Sequence, residues 1–365
     1  MQKKRVLMKD IAAEAGVHQT TVSLALRNHP SLPKKTRDRI QKLAKKMGYK
    51  PDPAMSALVA YRQSAKQTPA EQVIGLVLNF INMEDFEQCH VHRRLIATAR
   101  ERAQELGYKL DVFWFGQEYP DGKSLNRVLK ARGIQGLILS AFDYKNLDLQ
   151  MDWDYYSVVK INILPEELKF DAVLSNQMFD VRLAMRELRK HGLTRVGLAV
   201  AKHDEAHNRN MFTAGYYVGQ RHLAPQDRVP PLCFDDKSME EIKVDVKNWA
   251  REHKLEAIIS NWNNFDEEAY ELTTEEGQSC RFVPLDADDR TEQYGGVLQN
   301  HHLAGRRAID MVVGQIKTFR RGEEESPSLT LIHPTWLPLS EWPPENFEPQ
   351  PEPSSRSSQP AMATA

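Results

Sequence analysis

Long apolar runs are missing from this 365-residue chain, whose mean hydropathy is −0.56. No stretch reads as a membrane span, and no apolar core follows the basic N-terminus as a secretory leader would require. Cysteine is nearly absent: Cys89, Cys233 and Cys280 stand far apart, without CxxC or Cys/His ligand spacing. That excludes a disulfide framework and a zinc site, and suits free thiols in a reducing cytoplasm. Also missing are GxGxxG, GxxxxGK[ST] and GxSxG, so no nucleotide cradle or nucleophile elbow announces an enzyme. The pairs His90/His92 and His301/His302 lack the zinc-helix spacing. Asp286, Asp288 and Asp289 follow a strand without an evident fourth ligand. The expectation is a soluble, cytoplasmic protein that is not an enzyme and carries no cofactor, metal or membrane anchor.

Charge is present, but unevenly distributed. Residues 1–66 hold 15 lysines and arginines against four acids, a net +11 on a chain whose total is −1, which leaves −12 on residues 67–365. A basic head on an acidic body points to a polyanion partner for the head. The head also carries a specific pattern. Ile11, Ala12 and Ala15 recur at helical spacing, Gly16 allows the chain to reverse with φ > 0, and Val22, Ala25 and Leu26 mark a second helix. This is helix-turn-helix spacing, with the polar run His18-Gln19-Thr20-Thr21 facing outward. A third helix is expected over 33–47, stopped at Gly48. Pro51 to Tyr61 reads as a short hinge helix, and Gln63 to Gln72 as a linker.

The body alternates strand and helix. Val73–Leu78 opens as a strand buried on both faces. Helices over 90–106 and 124–131 and strands over 109–115, 136–140 and 156–161 complete a first series. A second series is expected from the strand at 172–175 through helices and strands to a long helix over 298–319, and a strand at 329–333. From Pro343 the chain is rich in Pro, Ser, Glu and Gln and is expected to be disordered. The expected fold class is a small all-α helix-turn-helix head plus an α/β body of two doubly wound parallel-sheet subdomains. A ligand is expected in a cleft between those subdomains. The domain boundaries are 1–50 for the head, 51–72 for hinge helix and linker, 73–342 for the body and 343–365 for the tail.

The runs Val6-Leu-Met-Lys-Asp-Ile-Ala, Ala15-Gly-Val and Thr21-Val-Ser23, then Thr36-Arg37 and Gly48-Tyr-Lys-Pro51, resemble the head of the lactose-repressor/galactose-repressor (LacI/GalR) family of bacterial transcription regulators. The body resembles it more weakly, through Gly192-Leu-Thr-Arg-Val196, Gly215-Tyr216 and Leu285-Asp286. The resemblance implies a periplasmic-binding-protein-like body that closes on an effector and forms a homodimer, acting on a double-stranded DNA operator at the nucleoid. It places Gln19 and Thr20 on base edges, and Thr21, Ser23 and Thr36 on phosphates. Leu58 becomes a minor-groove wedge, with Met55 on the same helical face.

Departures from the family pattern are specific. Leu24 stands where many members have arginine, which suits an apolar contact such as a thymine methyl. Asp52-Pro53 replaces a common Asn-Arg or Asn-Ala. Phe212 occupies a position where sugar-binding members often place arginine, and Trp262 follows Asn261 where Asn-Asp is usual. The implied effector residues are Phe212, Asn261, Trp262 and Asp286. Asp286 would accept sugar hydroxyls. Phe212 and Trp262 would either stack on a ring or pack in the core. The implied function is a transcriptional regulator, a repressor, whose operator affinity responds to a small-molecule effector, a carbohydrate by the resemblance. The alternatives are a constitutive DNA-binding or architectural dimer, and a sugar-binding enzyme or transport protein with a DNA-binding head.

Overall fold

The computed structural model describes residues 6–26, 29, 31–49, 72–79, 90–142, 149–234, 237–262, 280–287 and 295–338. The expected hinge helix and the C-terminal tail lie outside them, as do Met55, Leu58, Asp288 and Asp289. The chain divides into two compact units: Met1–Asn176 with Asn300–His333, and Gln177–Gln299 with Pro334–Ala365. Among the described residues no helix is long and apolar enough to cross a membrane.

The first unit opens with α1 (Met8–Ala15), α2 (Gln19–Leu26) and α3 (Lys34–Met47). Gly16 ends α1 at φ 65 and Gly48 ends α3 at φ 74, a left-handed conformation that glycine adopts without Cβ strain. Ile11, Ala12, Val22, Ala25, Ile40 and Ala44 form a core belonging to the three helices alone.

A six-stranded sheet follows, ordered β2 (Tyr108–Trp114), β1 (Gln72–Asn79), β3 (Gly136–Phe142), β4 (Ser157–Ile161), β5 (Asp171–Ser175), β11 (Leu329–Ile332), every pair parallel. Alternate residues of β1 serve opposite faces. Ile74, Leu76 and Leu78 pack under α4 (His90–Glu105) and α10 (His301–Thr318), while Val77 joins the core beneath α5 (Gly122–Ala131). Both faces being covered explains why β1 is a continuous apolar run. Helices α4 and α10 approach closely at Gly305, where a Cβ would lie 2.4 Å from the Leu95 carbonyl oxygen. Gly305→Ala is therefore expected to cost about 1–3 kcal/mol by overpacking. A denaturant melt with an unchanged midpoint would refute that contact.

The second unit has a parallel sheet ordered β7 (Leu232–Phe234), β6 (Val196–Ala201), β8 (Ala257–Ser260), β9 (Arg281–Pro284). Val196, Leu198 and Val200 face α6 (Gln177–Lys190) and α8 (Met211–Gly219). Ala199 and Ala201 face α9 (Met239–Glu252). Ser238 caps α9, accepting from the Glu241 N–H while Glu241 accepts from the Ser238 N–H. A short helix, α7 (Lys202–His207), follows β6, and β10 (Gly296–Leu298) pairs antiparallel with β12 (Thr335–Leu337). Each parallel sheet places its first strand beside its second and third, so both are wound outward from an interior strand.

The expected two-series order needs correction. The strand over 172–175, the long helix and the strand over 329–333 were assigned to the second series, but all three belong to the first unit. The reason is β5–β11 pairing, locked by buried Asp171. Its Oδ1 accepts from the Ser328 backbone N–H and hydroxyl, both at 2.8 Å, and its Oδ2 accepts from Arg320 at 2.8 Å. Burial raises the Asp171 pKa, but these donors outweigh it and hold the carboxyl below its ordinary range. Leu303 in the first turn of α10 is exposed. The strands β7, β10 and β12 were not anticipated; three residues each leave too few positions for a periodicity to be read.

Candidate nucleic-acid interface and ligand site

Two sets of residues stand out from the packing. The first is the outer face of α2. Val22 and Ala25 turn inward, fully buried, while His18, Gln19 and Thr20 at the start of the helix are exposed. Thr21, Ser23 and Leu24 are half-buried beside them, and Thr36 is half-buried in the first turn of α3. The hydroxyl and backbone N–H of Thr20 both sit at His18 Nδ1, which holds the start of the helix. Gln41 donates to the Ala25 carbonyl at 2.8 Å and ties the end of α2 to α3. Arg39 donates to the Ala15 carbonyl at 3.3 Å. Sequence reasoning missed Gln41 and Arg39 because both lie outside the apolar periodicity that drew attention to these helices. The result is a rigid helix presenting amide and hydroxyl groups within a strongly basic segment, the chemistry of base-edge and phosphate contact.

The second set gathers at the C-terminal ends of the second unit's parallel strands, where β6 and β8 diverge. After β6 comes Asp204. Its Oδ2 accepts from Asn261 Nδ2 at 2.6 Å and from Trp262 Nε1 at 2.9 Å, and His203 Nε2 lies 3.2 Å from Oδ1. Burial alone would raise the Asp204 pKa, but the hydrogen bonds and charge of His203, with those from Trp262 and Asn261, hold it below the ordinary value. Glu205 next to it is buried, accepts from the Thr213 N–H at 3.3 Å, and has its pKa raised by burial. Asp286 follows β9 and is half-buried. On α6, Asp180 is fully buried; burial first, and the Asp286 carboxylate second, push its pKa well above the ordinary range.

Of the residues named from sequence, Asn261 and Trp262 come together on Asp204. Asp286 is half-buried after β9, and its charge acts on Asp180. Phe212 is corrected: it is 2% exposed within the α6–α8 core beside Val181, Ala184 and Tyr216, so it has no free face to stack on a ligand. Trp262 is part buried. Its ring meets Phe234 edge-on at a centroid distance of 4.9 Å, and its N–H is bound to Asp204. Asp180, Asp204 and Glu205 escaped notice in the sequence. Asp180 did carry a signal, since it shares the i, i+4, i+8 stripe of buried Ala184 and Leu188, an acid on an apolar face. Among the described residues no group of three or more His, Cys, Asp or Glu converges as metal ligands.

Comparison with known proteins bears on the head and on the fold of the body. Residues 7–52 match the family described as bacterial regulatory proteins, lacI family. No curated protein matches the chain significantly. Among solved structures, the transcriptional regulator CelR–cellobiose complex is similar at TM-score 0.54 and 14% identity, over 92% of this chain and 99% of that one. The lac repressor dimer bound to operator and the anti-inducer ONPF aligns at TM-score 0.53 and 16% identity, over 92% of this chain and 98% of that one. A regulatory protein of the LacI family from Chloroflexus aggregans aligns at TM-score 0.54 and 17% identity, over 72% of this chain and 96% of that one. At these identities the likeness speaks for the fold: a helix-turn-helix region followed by an α/β body of the periplasmic-binding-protein type.

Proposed function

We propose, on the premise that the chain belongs by its head to the LacI/GalR family of transcriptional regulators, that it is an effector-responsive repressor acting as a homodimer at the nucleoid. The observation that carries this reading is the exposed start of α2, presented by a three-helix core on a segment of net charge +11. Gln19 and Thr20 read base edges, and Leu24 makes an apolar contact there. Thr21, Ser23 and Thr36 hold phosphates. Met55 and Leu58 are assigned the central minor-groove step by their position in the sequence alone. Residues 1–50 act as the head, 51–72 as hinge and linker, and 73–342 as the ligand-binding and dimerising body, with 343–365 as a tail.

In the body, Asp286, Asn261 and Trp262 contribute to effector binding at the strand ends. The similar structures that carry cellobiose or ONPF support a small-molecule ligand of carbohydrate type. The effector acts by binding one of two body conformations more tightly, which shifts the operator-competent population. Catalysis plays no part in this reading.

The test is selection of bound duplexes from random sequence, followed by affinity for the selected operator at fixed salt with and without candidate effectors. Gln19→Ala is expected to relax preference at one base pair by about 1–3 kcal/mol and leave the salt slope unchanged. Equal affinity of the variant and the parent for every single-base operator change would remove Gln19 from the interface.

A further inference from the structure

We propose that the groove between α6 and α8 of the second unit is the docking site for an acidic segment of the same chain, residues 341–352, whose glutamates meet Arg182, Arg186 and Arg189. This goes beyond the regulatory reading and does not depend on it.

Two glycines build the groove. Gly215 and Gly219 lie one turn apart on α8. A Cβ on them would stand 2.5 Å from the Met178 carbonyl oxygen and 2.4 Å from Met185 Sδ. The helices therefore meet along small residues, and longer side chains stand around an open groove of about 230 Å³. Its floor is apolar, from Phe179 and Met185 of α6 and Val218 of α8. Val218 is exposed, as are Met178 and Tyr217 on the same two helices.

One wall is a row of cations. Arg182, Arg186 and Arg189 recur at i, i+4 and i+7, so they share one face of α6, and all three are exposed. Like charges at this spacing repel. Arg186 meets Glu187 at 3.0 Å, but Glu187 is shared with Lys190 at 2.8 Å. Among the described residues, Arg182 and Arg189 have no ion pair or hydrogen bond. A cationic wall over an apolar floor thus stands on a body of net charge −12. The fitting occupant is acidic with an apolar anchor.

Charge and reach name it. Residues 341–352 hold four glutamates and no lysine or arginine, with Trp342 and Phe347 as the large apolar groups. The described chain ends at Pro338, just past β12 in the second unit. Trp336 of β12 packs against the core that contains Val181 and Met185 of α6, so the chain leaves on the α6 side of the sheet. Phe347 lies nine residues beyond Pro338. Nine residues span up to about 30 Å, and all of α6 is about 21 Å long. Phe347 can therefore cover Met185 and Val218 with Glu345 and Glu348 at the arginines. Tethering supplies an effective concentration in the millimolar range, so modest contacts suffice. A segment from a second copy lacks that advantage.

The experiment is photo-crosslinking of the full chain with p-benzoylphenylalanine in place of His222, an exposed residue lining the groove. Isotope-labelled and unlabelled chains are mixed, and the products are mapped by mass spectrometry. The expected product joins position 222 to the segment 341–352 of the same chain. Arg182→Glu with Arg186→Glu is expected to lower its yield at least tenfold, as is Glu345→Lys with Glu348→Lys. Combining the two reversals is expected to restore the yield to within threefold of the parent. The glutamate pair leaves α6 and α8 untouched, so it carries the test should the arginine pair disturb the fold. A product joining labelled to unlabelled chains would put a second copy in the groove and overturn the proposal. A product with any other segment, no product, or a yield unmoved by the glutamate pair would do the same. So would a failure of rescue in a chain that melts as the parent does.

Discussion

Ile40→Ala is expected to abolish operator binding while leaving the melting of the body within a few degrees of the parent. Ile40 is fully buried, and the head's core consists of Ile11, Ala12, Val22, Ala25, Ile40 and Ala44, three of them alanines. Removing a buried isoleucine to alanine costs about 2–5 kcal/mol. A core of this size supplies roughly 3–5 kcal/mol in total, so one truncation consumes most of the head's stability. The outward face of α2 would then have no scaffold, and binding should fall to a weak, salt-dependent background. Operator titrations at two salt concentrations, beside a thermal melt, check both halves. Specific affinity within tenfold of the parent would mean that the three helices are held by something other than this core.

Lys160→Met is expected to destabilise the first unit by roughly 3 kcal/mol or more. The Lys160 side chain lies on β4, buried, and its Nζ donates to the carbonyls of Ile163 and Pro165 at 2.7 Å and of Leu168 at 2.9 Å. Those three bonds satisfy every proton of the ammonium and gather the loop between β4 and β5 around it. Methionine keeps the length and apolar stem but offers no donor. It leaves carbonyls without the group that satisfied them, at about 1–3 kcal/mol each. The measurement is a denaturant midpoint at constant slope. A shift below about 1 kcal/mol would show that water replaces the ammonium at little cost.

Much of the architecture was legible in the residues because it is decided locally. Gly16 and Gly48 stop their helices where a positive φ is needed, and those helices end there in the structure. Ile11, Ala12, Val22 and Ala25 marked the inward faces of α1 and α2 by spacing alone, and all four are buried. The outward start of α2 follows from the same spacing, so the candidate nucleic-acid face could be named residue by residue. The ligand site was less legible. Asn261, Trp262 and Asp286 were named from the family resemblance, but Asp204, which holds two of them, comes from a different strand end. Phe212 shows the opposite failure. A helical position that matches a binding residue elsewhere here turns into the α6–α8 core, where apolar neighbours retain it.

What the sequence determined by itself is the part written in short-range chemistry: the basic head, the helix-turn-helix spacing, the alternation of strands and helices, and the turn glycines. Only the tertiary structure decided which strands share a sheet. The β5 strand and the α10–β11 segment return to the first unit because Asp171 meets Ser328 and Arg320 across more than 140 residues of chain. Only it buried Asp180 without a hydrogen-bond partner and placed Asp204 against Asn261 and Trp262. The reason is physical. Helix and turn preferences act over a few residues, whereas burial of a carboxyl and the donors left to meet it depend on which distant segments the core brings together.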